Sequence, residues 1–157
     1  MVIHNLIITI RKNKVASWCF AFCMGLIFRY IYGSAKNFLW NRNFDFLALS
    51  GSTSKSQMLF LTIVLNFVVD FTSSLIAAVI CGALLIYVIE KKALFFSIPA
   101  IATFLALSSR LWRFWKAPDL GMQISTLMGP LLAGLIFAGT IWLFLKILNR
   151  KKKGQID

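Results

Sequence analysis

The chain has 157 residues, of which 59% are hydrophobic and only 14% are charged, and its formal net charge is +12. A soluble domain has about 45–50% apolar and about 25% charged residues, so the composition excludes an ordinary soluble domain. It predicts one polytopic membrane domain over residues 1–157. Most of the basic residues flank apolar runs, where anionic lipid and the positive-inside bias explain them, and we expect no contact with nucleic acid.

The N-terminal segment, residues 1–10, is apolar on one helical face. That face holds Val2, Ile3, Leu6, Ile7 and Ile10, and the basic residues Arg11, Lys12 and Lys14 follow it. The pattern predicts a short interfacial helix on the membrane surface. A frayed N terminus is the alternative for so short a segment.

The first predicted span is 15–34. A cleaved signal peptide is the alternative for an apolar run that follows basic residues. Arg29 within the run and the apolar start of the chain favour a retained helix. On this helix Ser17, Ala21, Gly25 and Arg29 lie four apart, on a small-residue ridge that ends in a charge. Residues 36–56 are predicted as an external loop whose aromatic first half rests in the membrane interface.

The second predicted span, 68–89, is the most informative part of the sequence. Asn66, Asp70, Ser74, Ala78 and Gly82 lie four apart and form one ridge. Small residues allow a second helix to approach closely, so the acid on this ridge is expected to face protein. A helix over 57–89 is too long for the bilayer, so it either projects outward or breaks near Asn66. We favour the projecting helix.

Two further spans, 93–110 and 125–145, complete the predicted architecture. In the third, Pro99 is expected to kink the helix, and Ala102, Ala106 and Arg110 form another ridge. The fold class is therefore an all-α integral membrane protein, a four-transmembrane-helix bundle. The basic flanks favour a topology with both termini in the cytoplasm and a location in the inner (plasma) membrane.

The charges within these spans are Arg29, Asp70 and Arg110, and all three fall in the outer third of the bilayer. We expect Asp70 to pair with Arg29 or Arg110, either to fix the register of the helices or to serve transport or recognition. The chain has one histidine, His4, and no paired carboxylates in the bundle, so we expect no enzyme activity. The spacing of the three cysteines suits neither a metal site nor a disulfide, and no cofactor is expected.

The predicted external loops combine aromatic and basic side chains. The candidate interaction surface consists of Trp40, Arg42, Trp112, Arg113 and Trp115. An aromatic belt at the interface explains any one of them. Aromatic and arginine side chains are, however, also the residues that dominate protein-binding hot spots. The sequence therefore predicts a partner that is itself a membrane or membrane-inserting protein.

Over the whole chain, the layout resembles that of immunity proteins against pore-forming bacteriocins and of phage superinfection-exclusion proteins. These are also small, basic, multi-span proteins with short loops, and no sequence motif carries the resemblance. It implies a guard that binds an incoming toxin or DNA-injection component and blocks it. The alternatives are an accessory subunit of a transporter or secretion complex and, third, a small-solute carrier. The oligomeric state is left open.

Overall fold

The computed structural model describes residues 2–49, 55–108 and 120–153, and every regular element in these ranges is helical. The elements are α1 (Val2–Lys12), α2 (Lys14–Leu49), α3 (Lys55–Ile89), a 3₁₀ turn (Glu90–Lys92), α4 (Ala93–Ala106) and α5 (Leu120–Lys153). The all-α prediction is confirmed.

Three segments are long and apolar enough to cross a membrane. They are Lys14–Arg42, Phe60–Ala106 and Met128–Asn149. The second contains most of α3 and all of α4, which the 3₁₀ turn joins. With 14 residues, α4 is about 21 Å long at 1.5 Å per residue, shorter than a bilayer core of about 30 Å.

The predicted ridge of α3 faces protein, because α3 is the central helix and packs against both α2 and α5. Asp70, Ser74, Ala78 and Gly82 are all buried, and Asn66 is half-buried. The small residues let α5 approach: a Cβ added to Gly82 would lie 3.3 Å from Cγ1 of Ile141. This ridge is therefore a helix-packing surface.

The other two predicted ridges follow the structure only in part. On α2, Ser17, Ala21 and Gly25 are buried, but Arg29 is exposed. On α4, Ala102 and Ala106 are exposed, and the buried face instead holds Ala93, Phe96, Ser97, Ala100 and Phe104. For α4 the physical reason is the helical repeat: at about 100° per residue, Ala102 lies about 180° around the helix from Ala93, so this ridge is on the face opposite the buried one.

An aromatic layer joins three of the helices in the core. The ring of Phe28 on α2 lies 4.9 Å from the rings of both Phe104 on α4 and Phe137 on α5. All three side chains are almost completely buried. Close-packed aromatic rings of this kind contribute both apolar burial and specific edge-on contacts, which fix the relative positions of α2, α4 and α5.

The turn between α3 and α4 is held by a side chain from α1. Glu90 has a φ of 56°, a left-handed conformation that ends α3 and reverses the chain. The Arg11 guanidinium donates hydrogen bonds to the carbonyl oxygens of Tyr87 (2.7 Å) and Val88 (2.8 Å) and forms an ion pair with Glu90 (2.8 Å). The last carbonyls of α3 are thereby satisfied, and α1 is fixed beside the turn. We call this end of the bundle the termini end.

α1 and α2 are separated by a short break at Asn13. The Asn13 side-chain oxygen accepts hydrogen bonds from the backbone N–H groups of Val15 and Ala16, which makes it the N-cap of α2. The Ser17 hydroxyl donates to the carbonyl of Ile10 across the break (2.6 Å). The helical bonds lost at the break are thus replaced by side chains.

At the opposite end of the bundle α2 ends at Leu49 and α3 begins at Lys55, and we call this the hairpin end. Residues 36–49 were predicted as part of a loop, but the structure places them in α2. α3 runs without interruption from Lys55 to Ile89, as the projecting-helix interpretation requires.

Candidate functional site

Two helices bring three polar side chains together inside the bundle. The Asp70 carboxylate on α3 accepts a hydrogen bond from the Tyr32 hydroxyl on α2 (2.8 Å) and a charged hydrogen bond from the Lys36 ammonium, also on α2. Only 16% of the Lys36 side chain and 10% of the Asp70 side chain are exposed. We call Tyr32, Lys36 and Asp70 the polar cluster.

The surrounding helices fix the geometry of the polar cluster. Tyr32 and Lys36 are four residues apart, so both project from one face of α2 toward α3. The Tyr32 ring packs edge-on against Phe104, with 5.6 Å between the ring centroids. The Lys36 ammonium lies 6.0 Å from the centre of the Tyr32 ring, within the range of a cation–π contact. Aromatic packing therefore holds the groups that bind the carboxylate.

The structure gives Asp70 a partner that was not predicted, while pairing with Arg110 stays a prediction. Asp70 pairs with Lys36, whereas Arg29 is exposed on the outer surface of α2 and makes no ion pair within the described residues. Arg29 and Lys36 are seven residues apart and lie on nearly the same face of α2, but Lys36 is about 10.5 Å further along the helix axis, at the level of Asp70. The other predicted partner, Arg110, lies outside the described residues.

The buried polar groups near the polar cluster are bonded within the protein. The Ser73 hydroxyl donates to the carbonyl of Val69 (2.6 Å), and the Ser74 hydroxyl donates to the carbonyl of Asp70 (2.5 Å). Among the described residues, no buried side-chain nitrogen or oxygen is without a hydrogen-bond partner. Nor does this part of the chain hold a group of three or more histidine, cysteine or acidic side chains placed to bind a metal ion.

A second candidate is the exposed apolar face of α3 at the hairpin end. It consists of Phe60, Ile63, Val64, Phe67 and Val68, each of which is 43–66% exposed. These residues recur at the spacing of one helical face. The ring of Phe67 stacks on that of Phe71, 6.5 Å away, so the face continues toward the bundle.

The predicted external surface is divided by the limits of the described residues. Trp40 is half-buried, and Arg42 is exposed with its guanidinium carbon 5.3 Å from the centre of the Phe38 ring. Both belong to α2 rather than to a loop. Trp112, Arg113 and Trp115 lie outside the described residues.

The sequence contained a signal for the two residues that were missed. Tyr32 and Lys36 are spaced i, i+4, and Lys36 is about as far from the start of α2 as Asp70 is from the end of α3. At 1.5 Å per residue these distances are about 33 Å and about 28 Å. A loop that begins at Lys36, as predicted, would remove this residue from the bundle and with it the match in level to Asp70.

Comparison with protein-family models, with curated proteins and with solved structures finds no match to this chain.

Proposed function

We propose that the chain is a multi-pass inner-membrane protein that acts without catalysis, by binding another membrane or membrane-inserting protein. The specific form that we propose is a guard, of the bacteriocin-immunity or superinfection-exclusion kind. In this arrangement four helices span the bilayer, both termini lie in the cytoplasm, and the hairpin end faces outward, where an incoming protein arrives first.

The exposed apolar face of α3 supports this proposal. Phe60 lies about 43 Å along the helix axis from Ile89, whereas the bilayer core is about 30 Å thick. On α2, exposed polar side chains appear at the hairpin end, namely Asn37, Asn41 and Arg42, beside the exposed Phe38. The face on α3 therefore extends to the level at which its neighbour carries polar side chains, so lipid covers only part of it.

The chemistry of this face suits a helix from another protein. Large exposed apolar patches mark interaction sites, and phenylalanine and arginine are typical of the residues that dominate binding. A partner helix that packs along Phe60, Val64 and Phe67 would bury the remaining surface of three apolar side chains that are 43–66% exposed. Arg42, on the adjacent helix, would supply charge at the rim of the contact.

The test is a protection assay in bacteria that express the chain alone. Cells are challenged with a panel of pore-forming bacteriocins and of phages, and we expect protection against at least one. The V64A/F67A variant should lose that protection at an unchanged membrane level. The matched control V79A/L84A, which alters exposed apolar residues of α3 nearer the termini end, should keep it.

The second predicted loop is tested in the same assay. If it takes part in recognition, W112A/W115A should abolish protection at a normal membrane level, whereas a role in interface anchoring alone would lower the membrane level instead. The absence of protection against every member of the panel would contradict the guard function.

An accessory subunit of a transporter or secretion complex is the second candidate, because a charge-free face on α3 also suits permanent packing against another membrane helix. The two candidates differ in their need for other components. A guard protects when expressed alone, whereas a subunit acts only together with its complex. Site-specific photo-crosslinking from position 64 in the native host would then trap a constant partner without any challenge.

A further inference from the structure

We propose that α1 and the Glu90–Lys92 turn together form a binding site for anionic phospholipid headgroups at the termini end of the bundle. In this arrangement α1 lies in the bilayer surface, with its apolar edge among the acyl chains and its neighbouring lysines at the phosphates. The site is distinct from the exposed apolar face of α3 and does not depend on the proposed guard function.

The apolar face of α1 is larger than the protein surface that covers it. Ile7 and Ile10 pack against the core of the bundle. Ile3 and Leu6 belong to the same face but are 73% and 58% exposed. Asn5, on the opposite side of the helix, is exposed as well. A helix of this kind buries its remaining apolar side chains in the boundary between headgroups and acyl chains.

The contacts of Arg11 determine where α1 lies. Because its guanidinium is bonded to the end of α3 and to Glu90, α1 is fixed beside the turn instead of continuing the axis of α2. The break at Asn13 allows this change of direction. Since α3 crosses the membrane, the turn that ends it lies at the membrane surface, and the exposed edge of α1 is held at the same level.

Four cations surround this edge without a protein partner. Lys12, Lys14, Lys91 and Lys92 are all exposed, and none makes a hydrogen bond or an ion pair within the described part of the chain. The nearby acid, Glu90, is bound by Arg11. The result is a cluster of positive charge next to exposed apolar side chains. Free phosphate would match only the charge, whereas an anionic phospholipid matches both features.

The position of α1 is tested with an environment-sensitive fluorophore on the full chain in nanodiscs of phosphatidylcholine containing 30% phosphatidylglycerol. The probe, NBD, is attached to L6C or, as the matched control, to N5C, after Cys19, Cys23 and Cys81 are replaced by alanine. We expect emission from position 6 to be shifted to the blue and quenched by nitroxide-labelled lipid. Position 5 should show neither effect. Equal, water-like emission from both positions would overturn the proposal.

The charge of the site is tested by the lipid that remains bound to the protein. The full chain is extracted from mixed phosphatidylcholine and phosphatidylglycerol membranes, and the retained lipids are counted by native mass spectrometry. We expect K91Q/K92Q to lower the enrichment of phosphatidylglycerol by about fivefold for each lysine. R42Q, which removes an exposed cation at the hairpin end, should leave it unchanged. Equal enrichment in the wild type and K91Q/K92Q would overturn the headgroup site. Because both lysines are exposed and unpaired, their replacement should leave the fold intact, so loss of folding would not explain a lowered enrichment.

Discussion

At the scale of single residues, Asp70 shows what a sequence reveals about a buried charge and what it leaves open. An acid on a ridge of small residues is expected to face protein, and Asp70 is indeed buried. Lys36 was harder to predict as a partner, because pairing depends on the rotation and level of a second helix. Arg29 and Lys36 are seven residues apart and share one face of α2, and they differ by about 10.5 Å along the helix axis, a difference in level that their spacing alone does not relate to Asp70.

Removing one member of the polar cluster should cost more stability than removing two. A buried ion pair that loses one partner costs about 3–5 kcal/mol, because the other charge is left without compensation. We expect K36M to lower the thermal stability in detergent more than D70N does. A lysine side chain is long enough to reach the headgroups when it is unpaired, whereas aspartate is too short.

The double variant D70L/K36M should recover most of the lost stability, since two apolar side chains then occupy the site. The measurement is the midpoint of heat-induced loss of the monodisperse peak in fluorescence-detected size-exclusion chromatography. Y32F is the control for the hydroxyl alone and should cost about 1.5–3 kcal/mol, the usual contribution of a hydrogen bond to a charged group. If the effects of D70L and K36M simply added in the double variant, the two residues would not be coupled.

At the scale of the helices, the sequence predicted the packing surfaces best where small residues and a polar residue occur together. The ridge of α3 is an example, and it is confirmed over the length that contacts α5. The exposed alanines of α4 show the limit of the argument, since alanine is accepted equally well against lipid and against protein. Helix ends were less predictable: the cap at Asn13 depends on local hydrogen bonds, and α2 continues to Leu49, well past the end of the predicted span.

Gly25 allows the closest approach between α2 and α4 that the structure describes for a glycine. A Cβ at this position would meet the backbone carbonyl of Ala100 and would lie 2.8 Å from Cβ of Thr103. Because a backbone carbonyl cannot rotate away, G25A should force the two helices apart and cost about 1–3 kcal/mol. The thermal midpoint in detergent measures this effect.

The matched control is Gly139 on α5, where an added Cβ has no atom within 4 Å. G139A should be neutral or stabilising by up to about 1 kcal/mol, since alanine favours a helix more than glycine does. G82A should fall between the two, because its Cβ would lie 3.3 Å from the end of a flexible isoleucine side chain. Equal effects of G25A and G139A would show that α2 and α4 are not in close contact at Gly25.

At the scale of the whole molecule, the fold was predictable to the level of an all-helical membrane bundle, because hydropathy alone identifies segments that can cross a bilayer. The number of spans was less certain, since α4 is short and is joined to α3 by a turn of only three residues. The structure adds a contact at one end of the bundle. The Glu90–Lys92 turn that ends α3 lies beside α1, so α1 and this turn share the termini end.

The proposed topology predicts the side of the membrane that each connection reaches. Alkaline phosphatase, which is active only outside the cytoplasm, is inserted into the complete chain after Ser52, Lys92 or Asp119, or is fused after Lys153. Insertion into the complete chain keeps α5 in place, which matters because α5 packs along α3. We expect activity after Ser52 and Asp119 and none after Lys92 or Lys153. Green fluorescent protein, which becomes fluorescent in the cytoplasm but not after export in an unfolded state, should give the opposite pattern.

Activity of alkaline phosphatase after Lys92 would contradict the four-span topology. It would place the Arg11–Glu90 contact, together with α1, on the outer surface of the membrane.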